Sequence, residues 1–158
     1  MTDKPTPEDI SRWQRRLASQ ANNHAWTLAE SPQRSPEEDE DMLHASHAAM
    51  YFWSMEGTPA QRAHAALLLA HVHALLRQPE SAARYLARAW PHFETGECAP
   101  WEMAFAHAVT ANVAFANRDA TAHARHYADA QTFADRMTDA DTCAMFAATW
   151  RIVPQPGS

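Results

Sequence analysis

Cysteine and glycine are both scarce in this sequence. Its 158 residues include two cysteines, Cys98 and Cys143, which cannot build a disulfide framework and lack CxxC spacing. Only three glycines are present, and valine and isoleucine are rare, whereas Ala, Glu, Gln, Arg, Leu and Met are abundant. Because β-branched residues favour strands and the abundant set favours helices, the composition predicts an all-α protein.

Long apolar runs and excess positive charge are also missing. No run approaches the ~20 apolar residues that a membrane-spanning helix needs, and the N-terminal stretch MTDKPTPEDI is polar. We therefore expect a soluble, cytoplasmic protein that does not bind membranes. The formal net charge is -6, and phosphate neutralisation by basic residues is the main sequence-independent source of affinity for nucleic acids. A nucleic-acid partner is therefore not expected.

The common catalytic motifs are absent. The sequence contains no GxGxxG, GxxxxGK, HExxH, CxxCH or GxSxG, and no Glu-x-x-His pair of the kind that builds di-iron sites in helical bundles. Common nucleotide-binding and hydrolase chemistries therefore have no support, and no residue is assigned as catalytic.

What the sequence does contain is a series of helix signals. Apolar residues recur at spacings of three and four along 60–90, and Pro79 interrupts them at a tight turn. Thr6-Pro7, Ser35-Pro36 and Thr58-Pro59 each supply an N-cap and a first-turn proline. We predict one domain over 1–153, a disordered tail over 154–158, and helices near 7–30, 36–55, 59–77, 79–94, 100–117, 119–136 and 139–150.

The second predicted helix, 36–55, has apolar residues on nearly every side after its acidic first turn. A helix that is apolar all round is typically buried. We therefore expect the first helix to cover it through Trp13, Leu17 and Trp26.

The hairpin over 60–90 resembles a tetratricopeptide (TPR) repeat. Leu69, Ala70, Ala82, Leu86 and Ala89 fall at the spacing of that family's packing positions. The repeat is degenerate, because His73 stands where the family usually has Tyr, Arg77 stands where it usually has Gly, and the closing Pro is missing.

The resemblance implies a fold for the whole chain. Hairpins recur at about 41 residues, judged from Ala70 and Ala111, which is longer than the standard repeat. The resemblance to TPR repeats implies a short right-handed α-solenoid of about three antiparallel hairpins, closed by a C-terminal capping helix through Phe146 and Trp150. The chain is also similar to a group of uncharacterised bacterial TPR-like proteins that share the look of MLHASHAAMYFW followed by Gly57-Thr58-Pro59.

In the TPR family the first helix of each hairpin lines a concave groove. The resemblance therefore implies groove-facing side chains at His64, Leu67, His71, Phe105, Asn112 and Phe115. It also implies a non-enzymatic module that binds a peptide, a protein partner or a second copy of itself as a homodimer. Asn112 matches a position that can clamp a peptide carboxylate, but the accompanying lysines are missing. Ordinary core packing is the alternative for the two phenylalanines.

Ten histidines are the remaining oddity of the composition. Asp41, His44 and His47 lie three residues apart along one helix, which could offer ligands to zinc or another divalent metal. The alternative is that these are core histidines bonded to a carbonyl or carboxylate. His107 and Glu102 are further candidates. His123 and His126 are expected to be exposed on an outer helix.

These histidines support a second functional hypothesis. It is a small-molecule or metal-dependent enzyme whose His-rich pocket lies between helices, with an imidazole beside a carboxylate serving as general base. A divalent metal would be its only cofactor.

Overall fold

The computed structural model describes residues 4–157, and the N-terminal residues 1–3 and Ser158 lie outside the described part. The described residues form seven helices and no strand. The helices are α1 Pro7–Ala29, α2 Pro36–Glu56, α3 Pro59–Leu75, α4 Pro79–Phe93, α5 Pro100–Ala116, α6 Ala120–Ala134 and α7 Ala140–Trp150. The prediction of an all-α protein is confirmed, and each predicted helix is present.

The helices begin where the sequence places caps. Thr6, Ser35 and Thr58 each accept a hydrogen bond from a backbone N–H in the first turn, and each is part of a complete capping box. At the start of α5, where the cap residue Ala99 has no polar side chain, the Glu102 carboxylate accepts the Ala99 N–H at 2.8 Å. Helices α1 to α5 each have a proline in the first turn, which lacks a backbone N–H. No helical hydrogen bond is lost, because N–H groups in the first turn of a helix have no partner within the helix.

The turns that join α3 to α4 and α5 to α6 have the same backbone geometry. Arg77 and Arg118 have φ values of 57° and 60°, in the left-handed region. In each turn the following residue donates its N–H back into the preceding helix: Gln78 to the His73 carbonyl at 2.8 Å, and Asp119 to the Ala114 carbonyl at 2.9 Å. This is the Schellman pattern that ends helices. The two turns are 41 residues apart, the same spacing as Ala70 and Ala111.

The helices pack in antiparallel pairs, α1 with α2, α3 with α4 and α5 with α6, followed by α7. The first members of the pairs are also neighbours, because α1 contacts α3, α3 contacts α5, and α5 contacts α7. Helices α3 and α5 run in the same direction. His64 contacts Glu102 near the starts of the two helices, and His71 contacts Asn112 toward their ends.

The most buried helices are α3 and α5. Leu67, Leu68, Leu69 and Val109 are almost completely inaccessible, and small alanines between them let neighbouring helices approach closely. The prediction that α2 is buried on every side is wrong: Tyr51 is 62% exposed, and Trp13, expected to cover α2, is 54% exposed. The physical reason is position, since α2 belongs to the end pair and only α1 and α3 pack against it substantially.

The chain after α7 is packed against the third pair. Val153 is buried, and the Pro154 carbonyl accepts a hydrogen bond from His123 Nε2 at 2.7 Å. Residues 154–157, which belong to the predicted tail, therefore lie next to α6. None of the helices in residues 4–157 combines the length and apolar character needed to cross a bilayer.

Candidate functional site

The six side chains predicted to face a groove lie in three different places. His64, Leu67 and Phe105 line a cavity near the starts of α3 and α5. Asn112 and Phe115 line a second cavity near the ends of the same helices. His71 lies between the two cavities with no exposed surface. The predicted surface is therefore interrupted halfway along α3 and α5.

The first cavity, which we call the interhelix cavity, has a volume of about 420 Å³ and opens to solvent. Its walls come from α1, α3, α5 and α7, through Asn22, Asn23, Trp26, Thr27, His64, Leu67, Trp101, Phe105 and Met145, with Glu30 just after α1. This size falls in the usual range for ligand pockets. The four helices that bound it are the first members of the three pairs and the final helix.

Three large aromatic rings, those of Trp26, Trp101 and Phe105, line the interhelix cavity. The Trp26 and Phe105 rings meet nearly at right angles with centroids 5.8 Å apart, and Trp101 meets Phe105 in the same way at 6.3 Å. Edge-to-face packing of this kind holds ring orientations firmly. Trp101 remains 38% exposed, so part of its indole faces solvent.

Glu30 gives the interhelix cavity an acidic group. Burial raises the pKa of the Glu30 carboxyl, while the Thr149 hydroxyl and the charge of Arg151 act in the opposite direction. Thr149 Oγ1 lies 3.5 Å from Glu30 Oε1 and connects α7 to the end of α1. A cation bound beside Glu30 would offset the burial that disfavours its charged form.

A layer of buried polar side chains separates the two cavities. Asn112 Nδ2 donates to His71 Nδ1 at 3.1 Å, and the His71 ring stacks on Trp26 at 5.5 Å. Burial lowers the pKa of His71 to about 4, with the charge of Arg34 a lesser cause. His71 and Asn112 therefore hydrogen-bond to each other in the core, and His71 is neutral at pH 7.

The second cavity, which we call the turn-side cavity, is larger, at about 920 Å³, and more open. It lies where the α3–α4 and α5–α6 turns meet the chain after α7, and its lining includes Arg77, Arg118, Phe115 and Pro154. Its lining combines the ends of α3 and α5 and the start of α6 with turn residues. The interhelix cavity, walled by helices and fixed rings, is the better candidate for a specific site.

Of the residues predicted to bind metal, Asp41, His44 and His47 do not come together, whereas Glu102 and His107 each lie in a different group of possible ligands. Asp41 accepts a hydrogen bond from His24 Nε2 at 2.6 Å on the exposed surface, and the His47 ring packs against the rings of His73 and Tyr85. Across residues 4–157, two groups of three side chains bring ligand atoms within 4.8 Å of one another. They are His64, His92 and Glu102, and His107, His126 and Asp129. Neither group contains Asp41, His44 or His47.

The group of His64, His92 and Glu102, which we call the three-helix cluster, borders the interhelix cavity through His64. His64 Nε2 lies 3.0 Å from Glu102 Oε1, and His92 Nε2 lies 3.8 Å from the same oxygen. Burial acts to raise the pKa of Glu102, but the Ala99 N–H and the two imidazoles lower it overall. The TPR resemblance implied His64 only as a groove-facing residue, and Glu102 was a separate metal candidate. His92 was missed because only the fold brings it to the other two.

The second group lies between α5 and α6. Burial lowers the pKa of His107 to about 4, and the charge of His126 adds to this effect. His107 Nδ1 and His126 Nδ1 are 2.8 Å apart, and Arg125 donates to His126 Nε2 at 3.0 Å. Since His126 Nε2 is an acceptor, its Nδ1 carries the proton and donates to His107. The two imidazoles are therefore hydrogen-bonded to each other through their Nδ1 atoms.

The expectation that His123 and His126 are exposed is wrong. His123 is buried and bonded to the Pro154 carbonyl, and His126 is partly buried against Trp90 and His107. The reason is that α6 has a neighbour on each side of this face, with α5 on one and the chain after α7 on the other. The polar sequence of α6 does not indicate this burial.

Comparisons with protein-family models, with curated proteins and with solved structures gave no match to this chain. The resemblance to the TPR family therefore stays a prediction from the sequence.

Proposed function

We propose that this protein is a non-enzymatic binding module built as a short TPR-like solenoid, and that it takes a peptide segment into the interhelix cavity. The neighbour relations of α1, α3, α5 and α7 support the stacked arrangement, because each first helix packs beside the next. The 41-residue spacing of the Arg77 and Arg118 turns supports repetition of one hairpin unit. A solenoid of this kind presents its first helices on one side, which is where the cavity lies.

The lining of the cavity favours a positively charged side chain as the bound group. Trp26 and Trp101 offer π faces, and Glu30 offers a carboxyl whose pKa is raised by burial. A guanidinium or ammonium over a Trp face contributes roughly 0.5–2 kcal/mol, and Trp is the best partner for it. The net charge of -6 adds long-range attraction for a basic peptide. This combination of indole rings and one carboxyl is the observation on which the proposal depends.

The enzymatic alternative retains one supporting observation. His64 and Glu102 form an imidazole–carboxylate pair at 3.0 Å beside the cavity, which is an arrangement that can move a proton near neutral pH. If this pair were catalytic, a bound small molecule would have to be converted. A substrate screen followed by loss of turnover in Glu102→Gln would favour it over the binding module.

Binding of a basic peptide tests the proposal. The probe is a fluorescently labelled, blocked pentapeptide with a central Arg between glycines, compared with the same peptide carrying Glu. We expect the Arg peptide to bind in fluorescence anisotropy and the Glu peptide not to bind. Trp101→Ala should weaken Arg-peptide binding by about 5-fold to 30-fold, the equivalent of about 1–2 kcal/mol of cation–π attraction.

Trp13→Ala is the matched control, because Trp13 is a half-exposed tryptophan outside the cavity lining. It should leave the affinity for the Arg peptide unchanged. Equal binding of the Arg and Glu peptides, or equal weakening by the two Trp substitutions, would contradict the proposal.

A further inference from the structure

The three-helix cluster has an unsatisfied atom that the second histidine group lacks. His92 Nε2 is buried and has no hydrogen-bond partner, which is also true of His71 Nε2 and His73 Nε2. Among these three nitrogens within residues 4–157, His92 Nε2 is the one that faces a carboxylate, with Glu102 Oε1 at 3.8 Å. A buried polar atom without a partner is uncommon and calls for an explanation such as a bound ion. In the second group, His107 and His126 are paired to each other and Arg125 occupies the remaining nitrogen of His126.

The geometry of the three ligand atoms fits a tetrahedral ion. Zinc binds imidazole nitrogen and carboxylate oxygen at about 2.0–2.2 Å, which places neighbouring ligand atoms about 3.3–3.5 Å apart. The two separations from Glu102 Oε1, 3.0 Å and 3.8 Å, fall on either side of that value. The two imidazole nitrogens lie within 4.8 Å of each other, so side-chain shifts of up to about an ångström would bring all three atoms to bonding distance.

The fold explains why three distant residues meet. His64 lies in the second turn of α3, His92 in the last turn of α4, and Glu102 in the first turn of α5. Since α3 and α4 are antiparallel and α3 and α5 run in the same direction, these three helix ends lie at the same end of the molecule. An ion there would connect the second pair of helices to the third.

The Glu102 carboxylate is also oriented for this role. Its Oε2 accepts the Ala99 N–H at 2.8 Å, which directs Oε1 toward the two imidazoles. Outer hydrogen bonds that fix a ligand in this way are typical of metal sites. The Trp101 ring stacks on His64 at 5.5 Å and restricts that imidazole as well.

We infer that His64 Nε2, His92 Nε2 and Glu102 Oε1 form a binding site for a divalent transition metal, with Zn²⁺ as the preferred ion. Two imidazoles and one carboxylate are the ligand set that zinc accepts while keeping a fourth position for water or another ligand. His64 also lines the interhelix cavity, so the ion would lie beside it. The site does not depend on peptide binding.

Isothermal titration of untagged, metal-free protein with ZnCl₂ tests the inference. We expect one zinc per chain and a higher melting temperature with zinc. His92→Phe keeps a ring in place but removes a ligand, and should lower zinc affinity by more than about 100-fold, because even outer-shell partners contribute roughly 10-fold to 100-fold. Without zinc, His92→Phe should melt no lower than the unmodified chain, since the replaced nitrogen has no partner.

Two further variants locate the site. Glu102→Gln keeps an acceptor for the Ala99 N–H and should also weaken zinc binding, which gives a second result if His92→Phe fails to fold. His126→Phe alters the other histidine group and should leave zinc affinity unchanged. Any of three results would overturn the inference. These are no stoichiometric zinc binding, unchanged zinc affinity in both His92→Phe and Glu102→Gln, and loss of zinc binding only in His126→Phe. Because zinc binding is measured without peptide, this outcome can be distinguished from the Arg-peptide result.

Discussion

Three histidines are buried in the core, and each uses a ring nitrogen in a hydrogen bond. His71 bonds Asn112, His73 Nδ1 bonds the Gln78 side chain at 2.6 Å, and His123 bonds the Pro154 carbonyl. A neutral imidazole offers one donor and one acceptor, so it can connect helices through their polar groups without introducing a charge.

His71 should make the folded protein sensitive to acid. Its pKa is about 4 when folded and 6.5 in the reference state, so the unfolded chain binds the extra proton between these values. Stability conferred by neutral His71 is therefore present above pH 6.5 and is lost as pH falls toward 4. Between pH 7 and pH 5 the expected loss of unfolding free energy from this residue is about 2 kcal/mol.

Urea unfolding at pH 7 and pH 5 measures this effect, with His71→Gln as the comparison. Gln does not titrate, and its amide oxygen can still accept from Asn112. The drop in unfolding free energy between the two pH values should be smaller in His71→Gln by about 2 kcal/mol. An equal drop in both proteins would mean that His71 is not held neutral by the fold.

The sequence is more informative about side chains within one helix than about pairs of helices. The TPR resemblance implied that His64 and Leu67 face the same way, and both line the same cavity beside α3. Pairing between helices was missed, because the sequence does not say which residues of α3 lie opposite α5. The 41-residue spacing contained a signal for this pair, because His71 and Asn112 are 41 residues apart, as are the Arg77 and Arg118 turns, and they hydrogen-bond to each other.

At the scale of elements, the two arginines in left-handed turns are sites of local strain. Arg118 adopts φ of 60°, which is unfavourable for a residue with a Cβ and free of that cost for glycine. Arg118→Gly should therefore raise the unfolding free energy by about 0.5–1 kcal/mol, after the extra chain entropy of glycine is subtracted. Chemical denaturation provides the measurement.

Arg16→Gly is the control for that substitution. Arg16 is exposed in the middle of α1, where glycine should lower the unfolding free energy by about 1 kcal/mol. Opposite signs for the two variants would establish that the turn geometry decides the effect. Destabilisation by both would contradict a left-handed residue at Arg118.

Helix starts were predictable because their signals are local. Thr or Ser followed by Pro and then by an acidic or amide residue three positions after the cap specifies an N-terminus by itself. Helix ends were placed less accurately, and the prediction ran to residue 77 where α3 ends at Leu75. Arg77 in place of the usual Gly left no strong stop signal in the sequence.

At the scale of the whole molecule, α7 packs against α5 and borders the interhelix cavity through Met145. The Phe146 ring packs edge-on against Phe105 with centroids 5.4 Å apart, and Thr149 contacts Glu30 at the end of α1. The TPR resemblance implied a capping helix, but the path of α7 beside the first helices depends on long-range packing. For this reason the sequence did not reveal two cavities.

A pair of neighbouring substitutions tests the role of α7. Phe146 is buried, whereas Met145 is 62% exposed. Phe146→Ala should lower the unfolding free energy by about 3–5 kcal/mol, and Met145→Ala should change it by less than about 0.5 kcal/mol. Thermal and chemical unfolding of both variants give the comparison. A small effect at both positions would mean that α7 does not close the core.

The most direct test of the binding proposal is an NMR titration of the six tryptophan indole N–H resonances with the blocked Arg pentapeptide. If a cationic side chain enters the interhelix cavity, the resonances of Trp26 and Trp101 should shift in a saturable way, and that of Trp13 should not. Shifts confined to Trp13 or Trp53, or no shift at saturating peptide, would contradict the account.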